Sequence, residues 1–177
     1  MDSETQREFD IVVYGATGFT GALVAEYLRE AHSDVNWAIA GRSQIKLDAV
    51  KQRLAAPDLP TVVADSDSTE DMTRLAAQSR VIMSTVGPYA RHGTTLLEAC
   101  AAEGTHYCDL TGEPQWMASV FERVSDAAEE SGARLIHCCG FDSIPSDLGV
   151  YVAQKTMMEK HGLYASSVSG RMGESKG

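Results

Sequence analysis

The sequence predicts an α/β fold, a doubly wound parallel sheet of about six strands, on three observations. Short apolar runs rich in β-branched residues recur along the chain without polar alternation, as strands covered on both faces require. Between them lie longer stretches whose apolar residues repeat every three to four positions, the period of an amphipathic helix. The two patterns alternate, which is the order of parallel strands joined by crossover helices.

The first strand is Ile11-Val12-Val13 within F-D-I-V-V-Y-G-A-T-G-F-T-G, and Leu23, Val24, Tyr27 and Leu28 continue it on helical spacing. Val35 to Ala40 reads as a second strand, and Leu47, Val50 and Leu54 as the stripe of its helix. Thr61 to Ala64 is a short third strand ending in Asp65, followed by a helix that Ser68 caps and that buries Met72, Leu75 and Ala76. Val81 to Thr85 is the fourth strand, and Leu96, Leu97, Cys100 and Ala101 mark a helix stopped at Gly104. His106 to Leu110 is the fifth. Pro114 opens the next helix, with Met117, Val120, Phe121, Val124 and Ala128 as its buried stripe and Gly132 as its end. Ala133 to Cys138 is the sixth strand, and Gly140 to Asp147 leads into a last helix from about Ser146, with Asp142 or Asp147 as its cap.

A chain of 177 residues suffices for one such domain. Residues 1–8 are expected to be flexible, 9–162 to form the nucleotide-binding domain, and 163–177, where Val168 begins like a strand, to start a missing second domain. With 15 Lys and Arg against 25 Asp and Glu the formal charge is −10, which argues against nucleic acid as a partner. No apolar run is long enough to span a bilayer, and the polar start lacks the apolar core of a signal peptide, so a cytoplasmic location is expected. Cys100, Cys108, Cys138 and Cys139 have no C-x-x-C spacing. Reduced thiols are expected, three of them in strands, and no metal, although His106, Cys108, His137, Cys138 and Cys139 could in principle converge.

The glycines carry the functional reading. Gly15, Gly18 and Gly21 stand in a strand-to-helix turn, where Gly15 lets the chain reverse, Gly18 admits a pyrophosphate against the backbone, and Gly21 lets the helix lie close to the sheet. Unpaired amides from about Gly18 to Thr20, with Phe19 between them, face the anion, and the Thr17 and Thr20 hydroxyls can add donors. After the second strand, where an enzyme preferring NAD carries an acid, this chain has Arg42 and Ser43, which suit the 2′-phosphate of NADP(H). Asp65 can bond the adenine amino group or serve as a surface turn. Thr85, Val86 and Gly87 are expected along the cofactor. No proton donor can be assigned; Tyr89, His92, Asp109 and Asp142 lie on the correct edge.

The blocks Y-G-A-T-G-F-T-G, W-A-I-A-G-R-S, S-T-V-G-P-Y-A-R-H-G, Y-C-D-L-T-G-E and C-G-F-D-S-I-P-S-D-L-G together resemble the N-terminal half of the saccharopine dehydrogenase-like oxidoreductases, particularly the branch containing mycobacterial trans-acting enoyl reductases. The resemblance implies a Rossmann domain binding NADP(H), followed by a mixed α/β substrate domain through which a homodimer could form. It further implies hydride transfer between nicotinamide and a C=C or C=N bond of a small-molecule or lipid-derived substrate. Two alternatives stay open: a non-catalytic NADP-binding sensor resembling the NmrA-like regulators, and an atypical short-chain dehydrogenase using the Tyr151-x-x-x-Lys155 pair.

Overall fold

The computed structural model describes residues 7–32, 34–171 and 173. Its strands are β1 (Phe9–Tyr14), β2 (Trp37–Gly41), β3 (Thr61–Val63), β4 (Ser79–Ser84), β5 (His106–Asp109) and β6 (Leu135–Ile136). The helices are α1 (Phe19–Ala31), α2 (Gln44–Arg53), α3 (Thr69–Gln78), α4 (Tyr89–His92), α5 (Thr94–Glu103), α6 (Pro114–Ser131) and α7 (Ile144–His161). All six strands pair in parallel in the order β3-β2-β1-β4-β5-β6. The order reverses between β1 and β4, and a ligand crevice opens beyond the carboxyl ends of the strands at such a point.

Strand alternation sorts the core into two layers. Val12, Tyr14, Ala38, Ala40, Ile82 and Tyr107 face one way, onto α3, α5 and α6; Val13, Trp37 and Ile39 face the other, onto α1 and α2. Arg7 lies in the stretch expected to be flexible, yet its guanidinium donates to the carbonyls of Ala76, Ala77 and Glu103 and ties the ends of α3 and α5 to the start of β1. Residues 1–6 lie outside the described residues.

Several expectations are corrected. The sixth strand is two residues long, because Cys138 adopts a left-handed φ of 61° and turns the chain out of the sheet. Of the four thiols, only Cys108 is therefore in a strand. Phe121 is 69 % exposed, whereas Trp116 is buried: α6 meets the core through Trp116, Val120 and Val124, and Phe121 sits a hundred degrees round from Val120. On α1, Leu23 and Tyr27 point outward, and small residues, Gly21, Ala22 and Ala25, make the close contact instead. The last helix starts at Ile144; neither Asp142 nor Asp147 caps it, since its N-cap is Ser143 and no side chain bonds there. Val168 begins no strand among the described residues.

Candidate functional site

A cleft of about 300 Å³ lies over the switch point, lined by the last residues of β1 and β2, Tyr14 and Gly41, by Gly15, Thr17 and Gly18, by Arg42, Ser43 and Lys46, by Ser66, and by Thr85 to Gly87, with His92 from α4. At its floor is the glycine turn. Gly15 has a φ of 91° and donates its N–H to Ala40, so it belongs to the turn and to the sheet at once. Thr85 donates its hydroxyl to the carbonyls of Tyr14 and Gly15, at 3.3 and 3.2 Å, bracing the turn from β4.

The three glycines do different things. A Cβ on Gly21 would collide with the Gly15 carbonyl oxygen and stand 2.7 Å from Thr85 Oγ1, so Gly21 is required by the packing of α1 on the sheet. A Cβ on Gly18 meets only the Gly15 oxygen, at 3.4 Å, an ordinary contact. The fold does not demand glycine there. Gly18 donates its own N–H to Gly15, 2.9 Å away, so the free first-turn amides are those of Phe19, Thr20 and Gly21, one residue further on than expected. The Phe19 side chain itself is 84 % exposed and, like Thr20 and Gly21, is not part of the cleft lining.

One wall of the cleft is cationic. Arg42 and Lys46 flank the N-terminus of α2, whose first turn contains no acid, and neither has an ion-pair partner among the described residues. Ser43 is the N-cap, yet its hydroxyl makes no cap bond and is free for another acceptor. Lys46 was not singled out by the sequence; its signal is its position one helical turn beyond Arg42. Two cations at a helix N-terminus are unfavourable on their own and become favourable when an anion sits between them and the exposed amides.

The loop after β3 is braced by its own hydrogen bonds. Asp65 uses its carboxylate on the Asp67 N–H, 3.1 Å away, and its N–H on Asp71 Oδ2 at 3.0 Å, so it plays a turn role outside the cleft lining. The Asp65 N–H and Arg74 together hold the Asp71 carboxyl below the ordinary carboxylate range. Ser68 accepts from the Asp71 N–H and caps α3. What this loop presents to the cleft is Ser66.

The other candidate acids separate clearly. Burial pushes the Tyr14 hydroxyl up to about 12, and the Tyr89 hydroxyl likewise to about 12. Tyr89 donates to Ser84 and accepts from the Leu110 N–H, with its ring stacked on Trp116, while Glu113 accepts from the Tyr89 and Ala90 amides. Asp109 is fully buried, and its carboxylate accepts from Tyr107 Oη, from the Thr111 and Cys138 amides and from His137 Nδ1 at 2.8 Å. It anchors the turn after β6 and has no oxygen left for a substrate. Asp142 is exposed on the loop before α7. Tyr151 and Lys155 are exposed on α7, the lysine 4.0 Å from Glu159, and neither lines the cleft. Among the described residues no group of three or more His, Cys, Asp or Glu side chains is placed to hold a metal, and no helix is long and apolar enough to cross a membrane.

A sequence profile of the saccharopine dehydrogenase NADP binding domain matches residues 11–136, from β1 to the end of β6. The chain belongs to this family. As a saccharopine dehydrogenase-type NADP-binding domain it is 50 % identical over 149 residues to a Mycobacterium tuberculosis protein provisionally named a trans-acting enoyl reductase, the match covering 83 % of this chain and 36 % of that one. It is 45 % identical over 159 residues to the trans-acting enoyl reductase of Mycobacterium bovis, covering 89 % and 38 %. The chain thus spans little more than a third of the length of these relatives. In fold it is similar to saccharopine dehydrogenase (L-Glu forming) from Saccharomyces cerevisiae, with a TM-score of 0.67 at 17 % identity over 87 % of this chain and 32 % of that one. Triphenylmethane reductase from Citrobacter sp., solved with NADP(H), gives 0.55 at 19 % identity over 73 % and 48 %.

Proposed function

We propose that this domain binds NADP(H) for an enoyl reductase, holding the cofactor while hydride passes between its nicotinamide and a polarised C=C bond. The observation that carries the reading is the unpartnered Arg42–Ser43–Lys46 entrance to α2, facing the glycine turn across one cleft. A pyrophosphate on the Phe19 to Gly21 amides would leave the adenosine ribose beside Arg42, where a 2′-phosphate accepts charge-assisted bonds from the guanidinium, the Ser43 hydroxyl and Lys46. The names of the mycobacterial relatives favour C=C over C=N as the acceptor. When bound, the cofactor supplies the hydride, and the residues described here bind and orient it.

Titration of NADPH and NADH into the wild-type protein and Arg42→Ala tests the cofactor assignment. NADPH should bind more tightly, and the variant should lose about 1.5 to 3 kcal/mol of that preference. Equal affinities in the wild type, or an unchanged preference in the variant, would contradict it.

A further inference from the structure

The glycine turn and the α2 entrance account for the phosphates and leave one wall of the cleft without a role. That wall is Ser66 and His92, 26 residues apart in sequence and 3.1 Å apart from Oγ to Nδ1. Asp67 stands behind them, its Oδ1 3.6 Å from His92 Nδ1 and 3.5 Å from Ser66 Oγ. With the Ser66 hydroxyl donating to the Asp67 carboxylate, Ser66 Oγ accepts from His92 Nδ1, which in a neutral ring leaves the lone pair on Nε2. With Nδ1 engaged, Nε2 is the polar atom His92 has left for a ligand in the cleft it lines.

We propose that the Ser66–His92 wall reads the purine edge of the cofactor, His92 Nε2 accepting a hydrogen bond from the exocyclic amino group of adenine. The inference rests on the NADP(H) reading above. The cations and the wall come from opposite faces of the sheet, α2 packing on one layer and Tyr89 of α4 on the other, so a nucleotide whose 2′-phosphate meets Arg42 turns its base toward His92. Val86 lines the space between and offers an apolar contact to the ring. Ser66 and Asp67 act through His92 as positioning residues, held by the bonds that Asp65, Ser68 and Asp71 make within their loop.

The chemistry predicts a preference that phosphate contacts alone would not give. Hypoxanthine carries a carbonyl oxygen where adenine carries its amino group, and that oxygen would confront the Nε2 lone pair. The test is to measure binding of NADPH and of its hypoxanthine analogue to wild type, His92→Ala and Arg42→Ala, with NADH as reference. We expect the wild type to favour adenine by about tenfold, the worth of one hydrogen bond. His92→Ala should bring the two bases within about twofold while keeping NADPH ahead of NADH, and Arg42→Ala should do the reverse. Equal binding of both bases by the wild type, or an adenine preference that survives in His92→Ala, overturns the inference. The wild-type ratio needs no variant and decides the question even if His92→Ala does not fold. A loss of the NADPH-over-NADH preference alone strikes the cofactor reading, because the base preference is read separately.

Discussion

The sheet is covered on both faces around β1 and β2, whereas from β4 to β6 one face is covered and the other only in part, Met83 alone of that face packing against the layer under α1 and α2. Over the first half, α1 and α2 bury Val13, Trp37 and Ile39 while the opposite layer buries Val12, Tyr14, Ala38 and Ala40. Over the second half, α5 and α6 bury Ile82 and Tyr107, but on the other face Val81, Met83 and Cys108 stay partly exposed and Ile136 is 54 % exposed. No residue of α7 is buried, and Ile144, Leu148, Val150, Tyr151 and Val152 are all exposed on it. The side that holds the cleft over the glycine turn is thus covered by its own helices. The side toward which a nicotinamide would extend presents apolar surface of the kind that another layer of protein covers.

The largest effect that would sharpen this contrast comes from the glycine turn. Gly21→Val should destabilise the fold by about 3 kcal/mol or more, since the new side chain meets the Gly15 carbonyl group and the Thr85 hydroxyl. Gly18→Ala should unfold within about 1 kcal/mol of wild type and yet lose NADPH. Urea unfolding paired with a binding titration separates the two, and a Gly18→Ala protein that binds normally would place the phosphates elsewhere.

In the second half the corresponding element is Asp109. Asp109→Ala leaves Tyr107, His137, the buried Thr111 amide and the half-buried Cys138 amide without their acceptor and should cost about 2 to 4 kcal/mol in urea unfolding, with little direct effect on NADPH affinity. A near-neutral stability change would show that the turn after β6 does not depend on it.

A smaller effect should appear at alkaline pH. Folded Tyr14 and Tyr89 keep their protons up to about pH 12, one under the cleft and one beside Trp116, whereas unfolded tyrosine releases its proton near 10. Between those values the unfolded state binds fewer protons, so stability that is fully present below pH 10 is lost as the pH rises toward 12. Unfolding midpoints measured from pH 9 to 12 should fall along this window, and Tyr14→Phe should flatten the fall.

The comparison also explains what could be read in the sequence. Strands β1 and β2 were legible because burial on two faces writes itself as unbroken apolar runs such as I-V-V, and β4 by its short apolar run V-I-M. The edge strand β6 is covered less and is ended by a single left-handed residue, Cys138, which no apolar pattern announces. Arg42 and Ser43 were legible by their distance from the glycine turn. The Ser66–His92 pair was not, since it joins a loop residue and a helix residue through tertiary packing, and Asp65 beside it, expected either as an adenine ligand or as a surface turn, puts its carboxylate on its own turn. Trp116 went unread because its indole N–H satisfies itself on Thr94, a partner on another helix.

Hydrogen exchange in the presence and absence of NADP+ tests the central claim, that the cofactor is held by the doubly covered half, most directly. Binding should slow exchange in residues 16–21, at the entrance to α2 from 43 to 46 and in the loop from 65 to 68, and should leave α7 unchanged. Protection of α7 with none at the glycine turn would contradict it.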